Sequence, residues 1–150
     1  MRDQAAIHLA NILAGIDDSA ADAWLREGFR RHLALSRNDG RGPTLMQCLG
    51  VGTNGQALRT IRDHWLRKAA AELTTSPEAS TWSRARALHH EAARFHVRWA
   101  SMKDLAFPPD GLPAARVFLW HAAKSGAPLP TTIQAFAEVI GQRSCRHMAA

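Results

Sequence analysis

The sequence predicts an all-α protein: a single domain over 1–150, built as an irregular or orthogonal bundle of about seven helices. Apolar positions recur at spacings of three and four residues, the chain contains no Tyr, and no stretch alternates apolar and polar residues between turns. A length of 150 residues, with 46% hydrophobic and 21% charged, is typical of one folded globular domain. Short helices between Pro- and Gly-rich loops disfavour a simple up-and-down four-helix bundle.

Two helices are predicted before the first long loop. We expect the first over 4–14, where Gly15 ends it. The second is expected over 19–36, beginning at Ser19 with Asp22 as its cap partner. Helical spacing predicts that its inward stripe is large and aromatic, comprising Ala21, Trp24, Leu25, Phe29, Leu33 and Ser36.

A short and a long helix are predicted next. Thr44 and Gln47 have the spacing of a capping box for a helix at 45–49, and Gly50 closes it. A tight turn then leads into a helix over 55–73. Its predicted inward positions are Leu58, Ile61, Trp65 and Ala69.

The second half of the chain predicts three more helices, over 81–100, 113–125 and 132–140. The first of these has the most regular apolar stripe in the chain, made of Trp82, Ala85, Leu88, Ala92, Phe95 and Trp99. Pro113 suits a first helical turn, and Thr131 with Gln134 predicts a cap for the last helix. The tail 142–150 is expected to fray.

The charge balance points towards a polyanionic partner. Lys and Arg number 19 against 13 Asp and Glu, a net charge of +6, and all but three of the cations are Arg. The first 40 residues carry five basic and six acidic groups, so the excess lies after position 40. Arg is well suited to phosphate recognition. The alternative explanation is a GC-rich genome, whose codons favour Arg and Ala.

The segment from Thr44 to Lys68 resembles a helix-turn-helix DNA-binding motif. Leu45-Met46-Gln47-Cys48-Leu49-Gly50-Val51 is similar to the first helix and turn of that motif, in which the Gly permits a left-handed turn and the Val fills the core between the helices. The resemblance implies that the following helix contacts DNA. It covers 44–68 only.

The resemblance leads to a set of candidate contact residues on the second helix of the motif. Side chains away from its apolar stripe could reach base edges and phosphates, and they comprise Gln56, Arg59, Thr60, Arg62, Arg67 and Lys68. An alternative interpretation is that Arg59, Asp63 and Arg67 form a ladder of ion pairs that stabilises a solvated helix face.

Catalytic and metal-binding patterns are weaker. Arg84 and His89 have the Arg/His spacing of all-α toxin-type ribonucleases, in which a general acid/base His acts beside a phosphate-binding Arg. The sequence His90-Glu91-Ala92-Ala93-Arg94 lacks the second His of a zinc-protease motif, so no metal site is expected. No cofactor is expected either.

These observations favour a small non-enzymatic, cytoplasmic protein that binds nucleic acid, with DNA as the preferred partner. One alternative is a protein-docking inhibitor of nucleic-acid machinery, of the anti-CRISPR or anti-restriction type; another is the ribonuclease. No apolar stretch approaches the ~18 residues of a membrane span. The seam of 82–99 could pack within the chain or form a homodimer. Cys48 and Cys145 lie far apart, so no disulfide framework is expected.

Overall fold

The computed structural model describes residues 2–147, with side chains described for 3–141. Within 2–147 the chain forms seven helices and no strand, so the predicted all-α fold class is confirmed. The helices are α1 Arg2–Leu13, α2 Ser19–Leu35, α3 Leu45–Leu49, α4 Asn54–Leu73, α5 Thr81–Met102, α6 Ala114–Lys124 and α7 Ile133–His147.

The chain divides into two compact units, Met1–Ile61 and Arg62–Ala150. The boundary falls within α4, so the first turns of that helix belong to unit 1 and the rest to unit 2. The expected single domain over 1–150 stays a prediction.

Unit 1 is built from α1, α2, α3 and the start of α4. Helix α2 packs against both α1 and α3. Its core cluster contains Ala5, Leu49, Val51 and Ala57, with half-buried Trp24 packed against it. Trp24 Nε1 also donates a 3.2 Å hydrogen bond to the Leu49 carbonyl, which satisfies the indole nitrogen.

The inward stripe predicted for α2 is wrong in its second half. Phe29 is 45% exposed and Leu33 73% exposed, whereas Ala21 and Gly28 are buried. Helical periodicity places apolar residues on one side of a helix, but another element must lie there to cover them. The residue that meets α3 is Gly28, and a Cβ at Gly28 would lie 2.1 Å from Leu49 Cδ2.

Helix caps follow the predictions in part. The Thr44–Gln47 capping box is present, and Gly50 ends α3 with a φ of 71°. Helix α2 is capped by Asp18, which precedes the expected Ser19 and accepts from the backbone of Ala20 and Ala21. The Asn11 amide, and then these backbone bonds, hold the pKa of Asp18 below its ordinary value.

Unit 2 is organised around α5, which packs against α6 and α7. The predicted stripe is buried at Ala85, Leu88, Ala92 and Phe95, and Trp99 is half-buried. Trp82 is 45% exposed, so its predicted inward position is wrong. The fully buried tryptophans of this unit are instead Trp65 and Trp120. Helices α6 and α7 cover the apolar seam of α5. The structure therefore contains packing of this seam within the chain, which is one of the two alternatives expected from the sequence.

Helix α7 extends past its predicted end. It continues to His147, because Gly141 has no positive φ and does not terminate it. A Cβ at Gly141 would lie 3.7 Å from Thr81 Cγ2, so this glycine lies close to the start of α5. The capping residue of α7 is Thr132, whose hydroxyl oxygen accepts from Ala135 N, and not the expected Thr131. The tail expected to fray, 142–150, includes the last residues of α7 up to His147, and 148–150 lie outside the described residues.

Candidate nucleic-acid interface

The segment that resembles a helix-turn-helix has a four-residue connection between α3 and α4. Gly50 and Gly52 both adopt positive φ, at 71° and 81°, and Val51 between them is 4% exposed. A second capping box, unforeseen in the sequence, starts α4: Thr53 Oγ1 accepts from Gln56 N, and Gln56 Oε1 accepts from Thr53 N. Gln56 therefore has a structural role at the helix start.

The buried face at the start of α4 differs from the prediction. Ala57 is 1% exposed and Ile61 2% exposed, whereas Leu58 is 36% exposed. The expectation that Leu58 points inward is wrong, because the smaller Ala57 is the residue that packs against Leu49 and Val51. Alanine carries a weak hydrophobic signal in sequence, yet it suits a close helix contact.

The candidate contact residues of unit 1 lie on the first two turns of α4. Arg59 is exposed, and no side-chain partner is described for it. Thr60 is half-buried and donates its hydroxyl to the Gln56 carbonyl at 2.9 Å. Arg59 is therefore the most available cation of this group.

Two of the candidate arginines in unit 2 are engaged within the protein. Arg62 pairs with Asp63 at 2.7 Å and donates to the Pro128 carbonyl at 2.7 Å, and its side chain is 13% exposed. Arg67 donates from Nε to the Val139 carbonyl at 2.9 Å. Both guanidinium groups join α4 to later segments of unit 2, and each would have to break these contacts to bind phosphate.

The last candidate, Lys68, lies over an aromatic cluster. Its Nζ is 5.3 Å from the ring centre of Trp65 and 5.7 Å from that of Phe118. His121 stacks on the same Trp65 at 4.8 Å, and burial lowers the pKa of His121. Lys68 is exposed and can make a further contact, but its stem covers a core ring.

The candidate ribonuclease pair is held by two different segments. Arg84 donates to the carbonyls of Pro77 and Ala79, both at 3.2 Å. His89 Nε2 donates to the Thr131 carbonyl at 3.2 Å. Five residues of α-helix separate the side chains by about 140° around the axis, so the two groups diverge.

The solvent side of α5 carries a row of cationic side chains at intervals of four residues. Arg86, His90, Arg94 and Arg98 are all exposed, and we refer to these four residues as the α5 ridge. The side chains of its three arginines have no hydrogen-bond or ion-pair partner among the described residues. The sequence favours α4 as the contact helix; the signal for the ridge is the i, i+4 repetition of basic residues.

The single carboxylate of α5 is neutralised by another helix. Glu91 lies on the side of α5 that faces α6, where Arg116 Nε donates to Glu91 Oε1 at 2.5 Å. Both side chains are largely buried, at 16% and 19% exposed. The ridge arginines therefore face no free carboxylate from their own helix.

A cavity of about 610 Å³ lies beside the ridge within unit 2. One side is formed by α5, the opposite side by the loop 126–131 and the start of α7. Its aromatic and imidazole lining consists of His89, Phe95, His96, Trp99 and Phe136. Volumes of 300–1,000 Å³ with mostly apolar walls are typical of small-molecule sites. The sequence offered no signal for this cavity, because the loop meets α5 only in the fold.

Metal-binding clusters and membrane-spanning helices are both absent from the described residues. No cluster of three or more His, Cys, Asp or Glu side chains with metal-binding geometry occurs among them. No helix in the same range has both the length and the apolarity for crossing a membrane. Cys48 is a free buried thiol, and the Cys145 side chain lies outside the described residues.

Comparison with protein-family models, with curated proteins and with solved structures produced no match.

Proposed function

We propose that this protein binds nucleic acid through the α5 ridge. The observation that carries the proposal is the regular row of Arg86, His90, Arg94 and Arg98 on the solvent side of one helix. Four residues of helix advance about 6 Å, so the row is about 18 Å long. A row of this length can contact several phosphates of one strand or of one groove edge.

The electrostatics of α5 support a phosphate partner. Its ridge arginines keep all their donors for a ligand, whereas Glu91 is already paired with Arg116. A guanidinium group forms bidentate, charge-assisted hydrogen bonds with phosphate oxygens. Because these contacts are charge-dependent, affinity should fall steeply as salt increases.

The α4 segment is a weaker candidate for nucleic-acid contact than the ridge. Recognition by a DNA-reading helix requires a continuous exposed face, and the second half of α4 is buried at His64, Trp65, Leu66 and Ala69. Arg59 remains a candidate for a phosphate contact made by unit 1 itself. The helix-turn-helix resemblance itself stays a prediction.

The proposed role is binding without catalysis. Arg84 binds the carbonyls of Pro77 and Ala79, His89 binds that of Thr131, and the two side chains diverge from the same helix, so a shared position for a scissile phosphate is not built. A ribonuclease would need both groups within reach of one phosphate.

The proposal is tested by comparing two variants of equal net charge. Arg86→Gln/Arg94→Gln/Arg98→Gln removes the ridge charges, and Arg26→Gln/Arg30→Gln/Arg37→Gln removes three exposed charges from unit 1. Fluorescence anisotropy with a labelled oligonucleotide at low salt should show about a tenfold or larger loss of affinity for the ridge variant. The unit 1 variant should bind nearly as well as the parent.

Two results would overturn the proposal. One is equal loss of affinity in both variants, which would mean that net charge and not the ridge governs binding. The other is the absence of salt-dependent binding by the parent protein. Circular dichroism of each variant checks that the helices are retained.

A further inference from the structure

We infer that the cavity beside the α5 ridge takes one unpaired base, and that the protein therefore prefers single-stranded nucleic acid. The inference rests on the proposed function, because the ridge would hold the sugar-phosphate backbone from which the base projects. The ligand class is a heteroaromatic base on a polyanionic strand, either DNA or RNA.

The ridge and the cavity are neighbours on one helix. Ala93 lines the cavity and is exposed, and it lies next to Arg94 in sequence and three residues after His90. At 100° per residue, Ala93 projects only about 20° from the direction of Arg86. Arg94 and Arg98 project about 100° and 140° from Ala93, so a strand passes the mouth of the cavity where it contacts Arg86 and His90.

The lining of the cavity suits a flat ring. Half-buried Trp99 and exposed His96 offer ring surface to a ligand, with the buried Phe95 and Phe136 behind them, and Pro128 and Pro130 form a wall without backbone N–H donors. Base stacking on aromatic side chains is tolerant of sequence and is a general means of holding single strands. The volume of about 610 Å³ is sufficient for a base with part of its sugar.

One polar edge is fixed in this apolar site. His89 lines the cavity, and its Nε2 is occupied by the Thr131 carbonyl, while its ring meets Phe136 edge-on with centres 6.0 Å apart. Because Nε2 is engaged by Thr131, Nδ1 is the ring nitrogen left to contact a ligand. The Thr131 bond fixes the orientation of the imidazole before a ligand arrives.

A duplex would fit the ridge but not the cavity. Its bases are stacked inside the helix, and extrusion of one base costs a few kcal/mol. A single strand has free bases that can enter without this cost. The loss of one stacking contact corresponds to roughly tenfold or more in affinity.

The test uses single strands of about 12 nucleotides that contain one 2-aminopurine, as DNA and as RNA, together with the matching duplexes. We expect the single strands to bind about tenfold more tightly than the duplexes, with quenching of 2-aminopurine fluorescence as the base stacks. Comparison of the DNA and RNA strands identifies which polymer is preferred, and quenching with either supports the inference.

Two substitutions to leucine test whether the base binds in the cavity. Ala93→Leu narrows the mouth of the cavity, and Ala100→Leu changes an equally exposed alanine of α5 that does not line it. Ala93→Leu should weaken single-strand binding by about three- to tenfold and reduce quenching, whereas Ala100→Leu and all duplex affinities stay unchanged.

The base site and the ridge are overturned by different results. Equal affinity for single strand and duplex, or equal binding by Ala93→Leu and Ala100→Leu, overturns the base site but leaves the ridge intact. A parent protein that binds neither polymer at low salt overturns the proposed function together with the base site.

Discussion

At the scale of single residues, Gly28 is the position where side-chain size matters most in unit 1. It lies in the middle of α2, where alanine would favour the helix by about 1 kcal/mol. A Cβ there would approach Leu49 Cδ2 to 2.1 Å and Cγ to 3.0 Å. Leu49 is itself buried, so its side chain has little room to move.

We therefore expect Gly28→Ala to destabilise the protein. Overpacking costs about 1–3 kcal/mol and exceeds the gain in helix propensity, leaving a net loss of about 1 kcal/mol in urea unfolding. Gly55→Ala is the matched control, since a Cβ at Gly55 of α4 meets nothing within 4 Å. It should raise stability by about 0.5 kcal/mol. If both substitutions stabilise the protein, the Leu49 side chain moves aside at little cost in free energy.

At the scale of elements, α5 combines three surfaces on one helix. Its core stripe packs against α6 and α7, its ridge faces solvent, and Glu91 holds α6 through Arg116. The ion pair is largely buried, and a buried pair is costly to break from one side only. The same pair keeps the carboxylate of α5 occupied.

Arg116→Met should leave Glu91 without its partner and lower the free energy of unfolding by about 3 kcal/mol. The double variant Arg116→Met/Glu91→Leu replaces both charges by apolar groups and should recover most of that loss. A double-mutant cycle from urea unfolding measures the coupling. A single variant as stable as the parent would indicate that water screens the pair.

At the scale of the whole molecule, only part of the positive charge is available to bind a ligand. Of the 19 basic residues, several are engaged by carbonyls or carboxylates, including Arg62, Arg67, Arg84 and Arg116. The net charge of +6 thus overstates what is available to a ligand at any one place. The ridge presents three free guanidinium groups.

The salt dependence of binding should report the number of phosphate contacts that the protein makes. Each phosphate contact with a single strand contributes about −0.7 to the slope of log K against log salt, so three ridge contacts give about −2. Involvement of all six excess charges would give about −4. Anisotropy titrations across a range of salt concentrations distinguish these values, and a slope near −4 or steeper would assign binding to the diffuse charge of the surface.

Local features were the most predictable part of this protein. The bounds of α3, the Thr44–Gln47 box and the stop at Gly50 depend on hydrogen bonds between residues close in sequence. The seven helices follow from apolar periodicity for the same reason. The errors at Phe29, Leu33, Leu58 and Trp82 share one origin: periodicity gives a direction around a helix, but not which neighbour covers it.

The all-α class, the seven helices of the described residues and the basic balance follow from the amino-acid sequence, since they depend on local hydrogen bonding, spacing and composition. Which cations are free depends on tertiary contacts, since Arg62 and Arg67 are held by the carbonyls of Pro128 and Val139, 66 and 72 residues away along the chain. The cavity beside α5 also depends on the tertiary structure. Its walls come from segments about 30 residues apart along the chain, and no local pattern encodes their meeting.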